Sequence, residues 1–148
     1  MKLNTKTRYG VRTMIELAMD WGGKGLLQKE ISESQGISYK YLDHIISALK
    51  ARGLIVNVDG KKSGYKLTRK PEEITIYDIY KAFEPELLIV DCLSKDGKCT
   101  NERSCASNEL WCELNEIIIQ YLKSHRLKEL SDKQIEMNIE SAGAVYVI

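Results

Sequence analysis

The sequence has no apolar run approaching the ~20 residues that cross a bilayer, and its opening, MKLNTKTRYG, lacks a signal-peptide core. A cytoplasmic protein is the expectation. Cysteine is missing everywhere except between residues 92 and 112, and without an export signal disulfides are not expected. Histidine occurs only at His44 and His125, both outside that cysteine window. Neither a nucleophile elbow nor a phosphate-binding loop is present, which argues against an enzyme. Internal repeats and low-complexity stretches are also missing.

What is present is a soluble globular composition, 43% hydrophobic and 29% charged. The length of 148 residues suits one domain, or a small domain with a dimerisation extension. A net charge of +1 hides a division. Residues 1–70 carry 14 lysines and arginines against 6 acidic residues, whereas residues 71–148 carry 8 against 15. The basic half suits a polyanion, since each cation placed at a phosphate releases condensed counterions. The acidic half is expected to face away from it.

The most informative stretch is residues 37–55, ISYKYLDHIISALKARGLI. Leu42, Ile45, Ile46 and Leu49 recur at helical spacing and predict one buried stripe. Tyr39, Lys40, Asp43, His44, Ser47 and Lys50 occupy the opposite face. Ser38 suits the N-cap, and Gly53 suits the left-handed residue past the end. Upstream, residues 28–35 predict a short helix, with Gly36 as the turn. This is the helix-turn-helix pattern, although an ordinary helical hairpin shares it.

The following segment favours the DNA reading. Residues 54–58 are β-prone, residues 59–64 (DGKKSG) are turn chemistry, and residues 65–68 are β-prone again. That predicts a hairpin tipped by Lys61 and Lys62. The fold expected is therefore mainly α with a small β-hairpin wing, a winged helix-turn-helix. Its second helix would lie in the major groove while the wing reaches phosphates.

Residues 7–21 predict a first helix burying Val11, Met14, Ile15, Ala18 and Met19; Arg8 and Arg12, on another face, suit phosphates or solvent equally. Residues 74–83 predict a short helix that closes a DNA-binding domain spanning residues 1–84. A cysteine-bearing loop follows over residues 85–107, then a dimerisation region over residues 108–137. Its helix, predicted over residues 108–123, carries Leu110, Leu114, Ile117, Ile118, Tyr121 and Leu122 as a wide apolar stripe. With little chain left to cover that stripe, a second copy is the economical partner, and a dimer matches palindromic double-stranded DNA. Burial within the monomer is the alternative. Residues 138–148 read as an apolar tail whose end, GAVYVI, is β-prone.

Cys92, Cys99, Cys105 and Cys112 are separated by six, five and six residues. Thiolates suit zinc or iron. Structural zinc usually takes tighter pairs, so the spacing suits an iron–sulfur cluster better, with zinc and unligated thiols left open. If a helix runs from Cys105, Cys112 sits roughly 10 Å along its axis and Asn108 within ~5 Å. Cys92, Cys99 and Cys105 are therefore the first three candidate ligands. Cys112 joins them only if the helix starts later.

The stretches KLNTKTRYGVRTMIELA, GISYKYLDHIISALKARGLI, GKKSGYKL and PEEITIYDIYKAFE, with the cysteine loop followed by ELW, carry a resemblance. Over nearly its whole length the chain resembles the Rrf-two family of bacterial transcription regulators. The resemblance implies a winged-helix homodimer joined through its long C-terminal helix. It also implies a cluster that governs DNA affinity, 2Fe–2S being expected ahead of 4Fe–4S. Cys92, Cys99 and Cys105 match the family's cluster cysteines by position. IscR-like members place a histidine three residues after the third; this chain has Asn108, a poor iron ligand. Cys112, a residue from elsewhere or a small molecule would then complete the site.

Asp43 stands where IscR-like members carry glutamate, and Asp59 replaces a wing arginine, so a different operator is expected. The predicted contacts are Ser38, Lys40, Asp43 and His44 to the major groove, and Lys61 and Lys62 to the backbone. The last residues, Tyr146 and Ile148 among them, resemble the tail of CymR-like members, which implies docking to cysteine synthase; a tail packed on its own dimer is the alternative. The expected function is control of iron–sulfur assembly or cysteine genes through the cluster. The alternatives are a cluster-free cysteine repressor acting through the tail, or a zinc-binding or electron-transfer protein, which would leave the basic wing unexplained.

Overall fold

In the computed structural model, which describes residues 2–60, 64–95 and 104–145, the first helix begins two residues earlier than its apolar pattern predicts. The Asn4 side chain accepts a hydrogen bond from the Thr7 N–H at 2.7 Å, and this cap starts α1 (Thr5–Met19). The helix buries Met14, Leu17 and Ala18. After a glycine-rich turn come β1 (Leu26–Leu27), α2 (Gln28–Gln35) and α3 (Tyr39–Ala51). Gly36 at φ 63° and Gly53 at φ 73° supply the left-handed residues that end α2 and follow α3, conformations that cost a side-chain-bearing residue energy.

The wing is the antiparallel pair β2 (Ile55–Asn57) and β3 (Gly64–Leu67), in register Ile55 to Leu67 and Asn57 to Tyr65. A third strand was not predicted. β1 pairs with β3 on its other edge, giving the order β1-β3-β2. Two residues are too short to show alternation in a sequence.

The expected stripe of α3 is the centre of the core. Leu42, Ile45 and Leu49 are fully buried and Ile46 nearly so, and each such side chain stabilises the fold by about 1.5–3 kcal/mol. α4 (Ile76–Phe83) opens with reciprocal bonds between Thr75 and Asp78, at 3.0 and 2.9 Å. It crosses α1 at Gly10, where an added Cβ would lie 2.2 Å from Phe83 Cε2. Gly10→Ala gains helix propensity of up to about 1 kcal/mol but must displace a packed ring. A net loss of about 1–2 kcal/mol is expected, read as a lower midpoint in urea unfolding.

In the C-terminal half, the helix expected over residues 108–123 is present as α5 (Ala106–Ser124), which stops at His125. A further helix, α6 (Leu127–Val145), was not predicted and begins two residues later. The break is held by strand-like pairing, with Ile76 N–H donating to His125 C=O (3.0 Å) and Leu127 N–H to Ile74 C=O (2.8 Å). Leu127 is then fully buried in the main core. Residues 138–145, read as the start of a tail, continue α6, so Gly143, Ala144 and Val145 are helical rather than extended. Tyr146 and Ile148 lie outside the described residues. Among the described residues, no helix is long and apolar enough to cross a membrane.

Candidate nucleic-acid interface and cysteine cluster

Ser38 caps α3, its hydroxyl accepting from Tyr41 N–H at 3.2 Å. From that cap, Tyr39, Lys40, Asp43, His44, Ser47 and Lys50 all stand exposed on the outer face, opposite the buried stripe. Lys50 leans toward the wing, its ammonium 5.9 Å from the Tyr65 ring centroid. Asp59 and Gly60 lead into the wing tip; Lys61 and Lys62 lie outside the described residues. Of the two α1 arginines, Arg8 is exposed and donates to Thr5 Oγ1 at 3.3 Å. Arg12 is engaged in bracing the turn: it donates to the Gln35 side chain (2.8 Å) and to Gln35 C=O (2.6 Å).

A buried amide under this face has no counterpart in the predicted site. Gln28 is 2% exposed. Its Nε2 donates to Asp43 Oδ1 at 2.5 Å and to Tyr39 C=O at 3.2 Å, while Tyr65 O–H approaches its Oε1 at 3.5 Å. Burial raises the pKa of the Tyr65 hydroxyl, a hydrogen bond with Asn57 opposes the rise, and the nearby Tyr39 and Asp43 add to it. In the sequence Gln28 reads as an ordinary polar residue opening a helix.

Two of the cysteines, Cys92 and Cys112, approach the side chain of another amide, Asn108. Cys92 sits in a short 3-10 turn (Asp91–Leu93), Cys105 immediately precedes α5, and Cys112 lies two turns along that helix. Asn108 stands between them, its Nδ2 3.7 Å from Cys92 Sγ and its Oδ1 3.6 Å from Cys112 Sγ. Cys105 Sγ lies 3.0 Å from Ser107 Oγ. That contact, helped by the Asn108 backbone N–H, lowers the Cys105 pKa and favours the thiolate that ligates metals. Cys99 lies outside the described residues. Among the described residues no three His, Cys, Asp or Glu side chains converge as a metal site. The soft thiols of Cys92 and Cys112 beside one weakly ligating amide fit a thiophilic metal centre, an iron–sulfur group included, better than a hard cation.

Asn115, also unforeseen, fixes the approach to Cys92. It is 8% exposed, donates to Leu87 C=O and accepts from Ile89 N–H, both at 2.9 Å. This ties residues 87–89 to α5. A buried polar residue in an apolar stripe looks, in the sequence, like a surface position.

The expected apolar stripe of α5 is largely uncovered. Leu110, Leu114, Ile117 and Tyr121 are 54%, 39%, 65% and 63% exposed, so burial within one chain does not account for them. Ile118 and Leu122 are half-buried. On α6, Ile135, Met137 and Ile139 are exposed as well.

Residues 3–133 match the model of the Rrf2 family, described as an iron-dependent transcriptional regulator. The Rrf2 protein of Nitratidesulfovibrio vulgaris is 32% identical, over 88% of this chain and 87% of its own length. The HTH-type transcriptional regulator IscR of Aliivibrio salmonicida is 33% identical, over 96% and 88%. Among solved structures, the global cysteine regulator CymR of B. subtilis aligns with a TM-score of 0.75 at 31% identity, covering 89% of this chain and 97% of that one. IscR of T. potens aligns with a TM-score of 0.71 at 31% identity, covering 90% and 88%. One family model spans most of the chain, the relatives named as regulators share its fold, and none of them is an enzyme: the protein belongs to the Rrf2 family of winged-helix transcriptional regulators.

Proposed function

We propose that this regulator acts in the cytoplasm as a homodimer, reading a palindromic operator with α3 and the wing under the control of an iron–sulfur cluster. Cys92, Cys99 and Cys105 would hold the cluster, with Asn108 or Cys112 nearest its fourth position. The observation that carries this reading is that Asn108 touches both described candidate ligands, Cys92 through its side chain and the acidified Cys105 through its backbone N–H. The iron-dependent description of the family supports it. When bound, such a group supplies a centre sensitive to iron supply and oxidation; the chain supplies thiolates and a loop pinned by Asn115. The genes controlled would be those of iron–sulfur assembly or cysteine supply.

The test is anaerobic purification followed by an absorption spectrum, iron and sulfide counts, and binding to palindromic promoter duplexes with the site filled and empty. A 2Fe–2S cluster predicts visible charge-transfer bands and different affinities in the two states. A colourless protein holding zinc would exclude it. Within the DNA interface, Ser38, Lys40, Asp43 and His44 would meet the major groove, and Lys61 and Lys62 the phosphates. Replacing both lysines by alanine should flatten the slope of log affinity against log salt by about 2–4 in a dimer, at about 0.9 per phosphate contact. An unchanged slope would exclude wing contacts to the backbone.

The likeness to CymR supports a second reading, a cluster-free cysteine regulator that docks cysteine synthase through Tyr146 and Ile148. Capture by cysteine synthase that survives deletion of Ile148 would remove that docking.

A further inference from the structure

An amide buried to 2% exposure is an odd choice where a leucine of similar size would give up no hydration. Both contacts made by Gln28 Nε2 go to α3, one to the backbone at Tyr39 and one to the carboxylate of Asp43, while its Oε1 faces the hydroxyl of Tyr65 on β3. The amide therefore connects the wing strand to the outer face of the recognition helix. Asp43 is exposed, with Oδ1 engaged by Gln28 and Oδ2 outside that bond. A short carboxylate held in this way has one orientation, and a fixed acceptor in the major groove selects the exposed amino group of a cytosine.

We propose that Gln28 is a specificity-positioning residue. By fixing one oxygen of Asp43 from beneath, it aims the other at a cytosine amino group, and through Tyr65 it couples that aim to the wing. The inference rests on the reading that Asp43 faces the major groove. Without the amide, Asp43 samples several rotamers and accepts from several bases, so discrimination falls while phosphate contacts persist. The role is distinct from packing: it changes which sequence is bound, not whether the helix is formed.

The experiment is selection of a randomised duplex library by the full-length protein, followed by affinities for the winning duplex and its single-pair variants. Wild type is expected to prefer a C·G pair in each half-site by roughly tenfold, the worth of one good base contact. Asp43→Asn should remove that preference. Gln28→Met, which keeps the shape and deletes the donor, should reduce it to within about threefold while leaving the salt slope unchanged. Gln28→Leu, which also lacks a donor, should do the same and covers the case in which the Met variant misfolds. Adding Gln28→Met to Asp43→Asn should cause no further loss at that pair. Full preference retained in folded Gln28→Met or Gln28→Leu, but lost in Asp43→Asn, overturns the positioning role alone. A preference untouched by Asp43→Asn overturns the groove-facing reading beneath it.

Discussion

Ile117→Asp is expected to break the proposed homodimer into monomers and to weaken binding to a palindromic duplex by at least about 100-fold. Ile117 is 65% exposed at the middle of the row formed by Leu110, Leu114, Ile117 and Tyr121. A row of that size left open to water is far more apolar than scattered surface leucines and marks an association surface. A second copy of the same helix would cover it by two-fold symmetry, each copy contributing the same residues. A carboxylate at its centre would have to be desolvated without a partner, which costs several kcal/mol and exceeds the gain from one isoleucine. Loss of the dimer unlinks the two recognition helices, and with them the effective concentration that makes the second half-site contact intramolecular, typically worth 10²–10⁴ in affinity. Light scattering reads the mass and fluorescence anisotropy the affinity. A variant that remains dimeric and binds normally would move the interface to Ile135, Met137 and Ile139 on α6.

How far the sequence foretold this structure depended on whether each element pays its way in apolar periodicity. α3 announces itself because Leu42, Ile45, Ile46 and Leu49 are all buried and its outer residues are all polar. The exposed row of α5 was equally plain, and so was its want of a cover. α6 was hidden because its inward face mixes Leu127 with buried Ser131, while its outward side carries isoleucines and a methionine. Tertiary pairing at His125 and Leu127 sets the boundary, and pairing with residues as far back as Ile74 and Ile76 leaves no local trace. The same holds for the site. Cysteine spacing pointed to Cys92, Cys99 and Cys105, of which Cys99 lies outside the described residues, and Asn108 stood out only as a departure from the family pattern. Gln28 and Asn115 were illegible, since an amide whose partners lie far along the chain looks like a solvated one.

If the proposed cluster is bound, replacing Asn108 is expected to change how long it survives in air. Its amide touches Cys92 and Cys112 at once, yet amides bind iron weakly, and imidazole and thiolate bind it well. Asn108→His should therefore slow loss of iron and sulfide in air by roughly tenfold, a gain comparable to that of supporting groups around metal sites. Cys92→Ser should remove nearly all of the iron, sulfide and visible absorption. Cys112→Ser should leave them close to wild type, because α5 already runs from Ala106 and so carries Cys112 roughly 10 Å along the axis from Cys105. Time courses of visible absorbance and bound iron after exposure to air read all three variants on one scale. If Cys112→Ser instead strips the cluster while Asn108→His changes nothing, the fourth ligand is the thiol, and the amide serves only to hold Cys92 and Cys112 together until iron arrives.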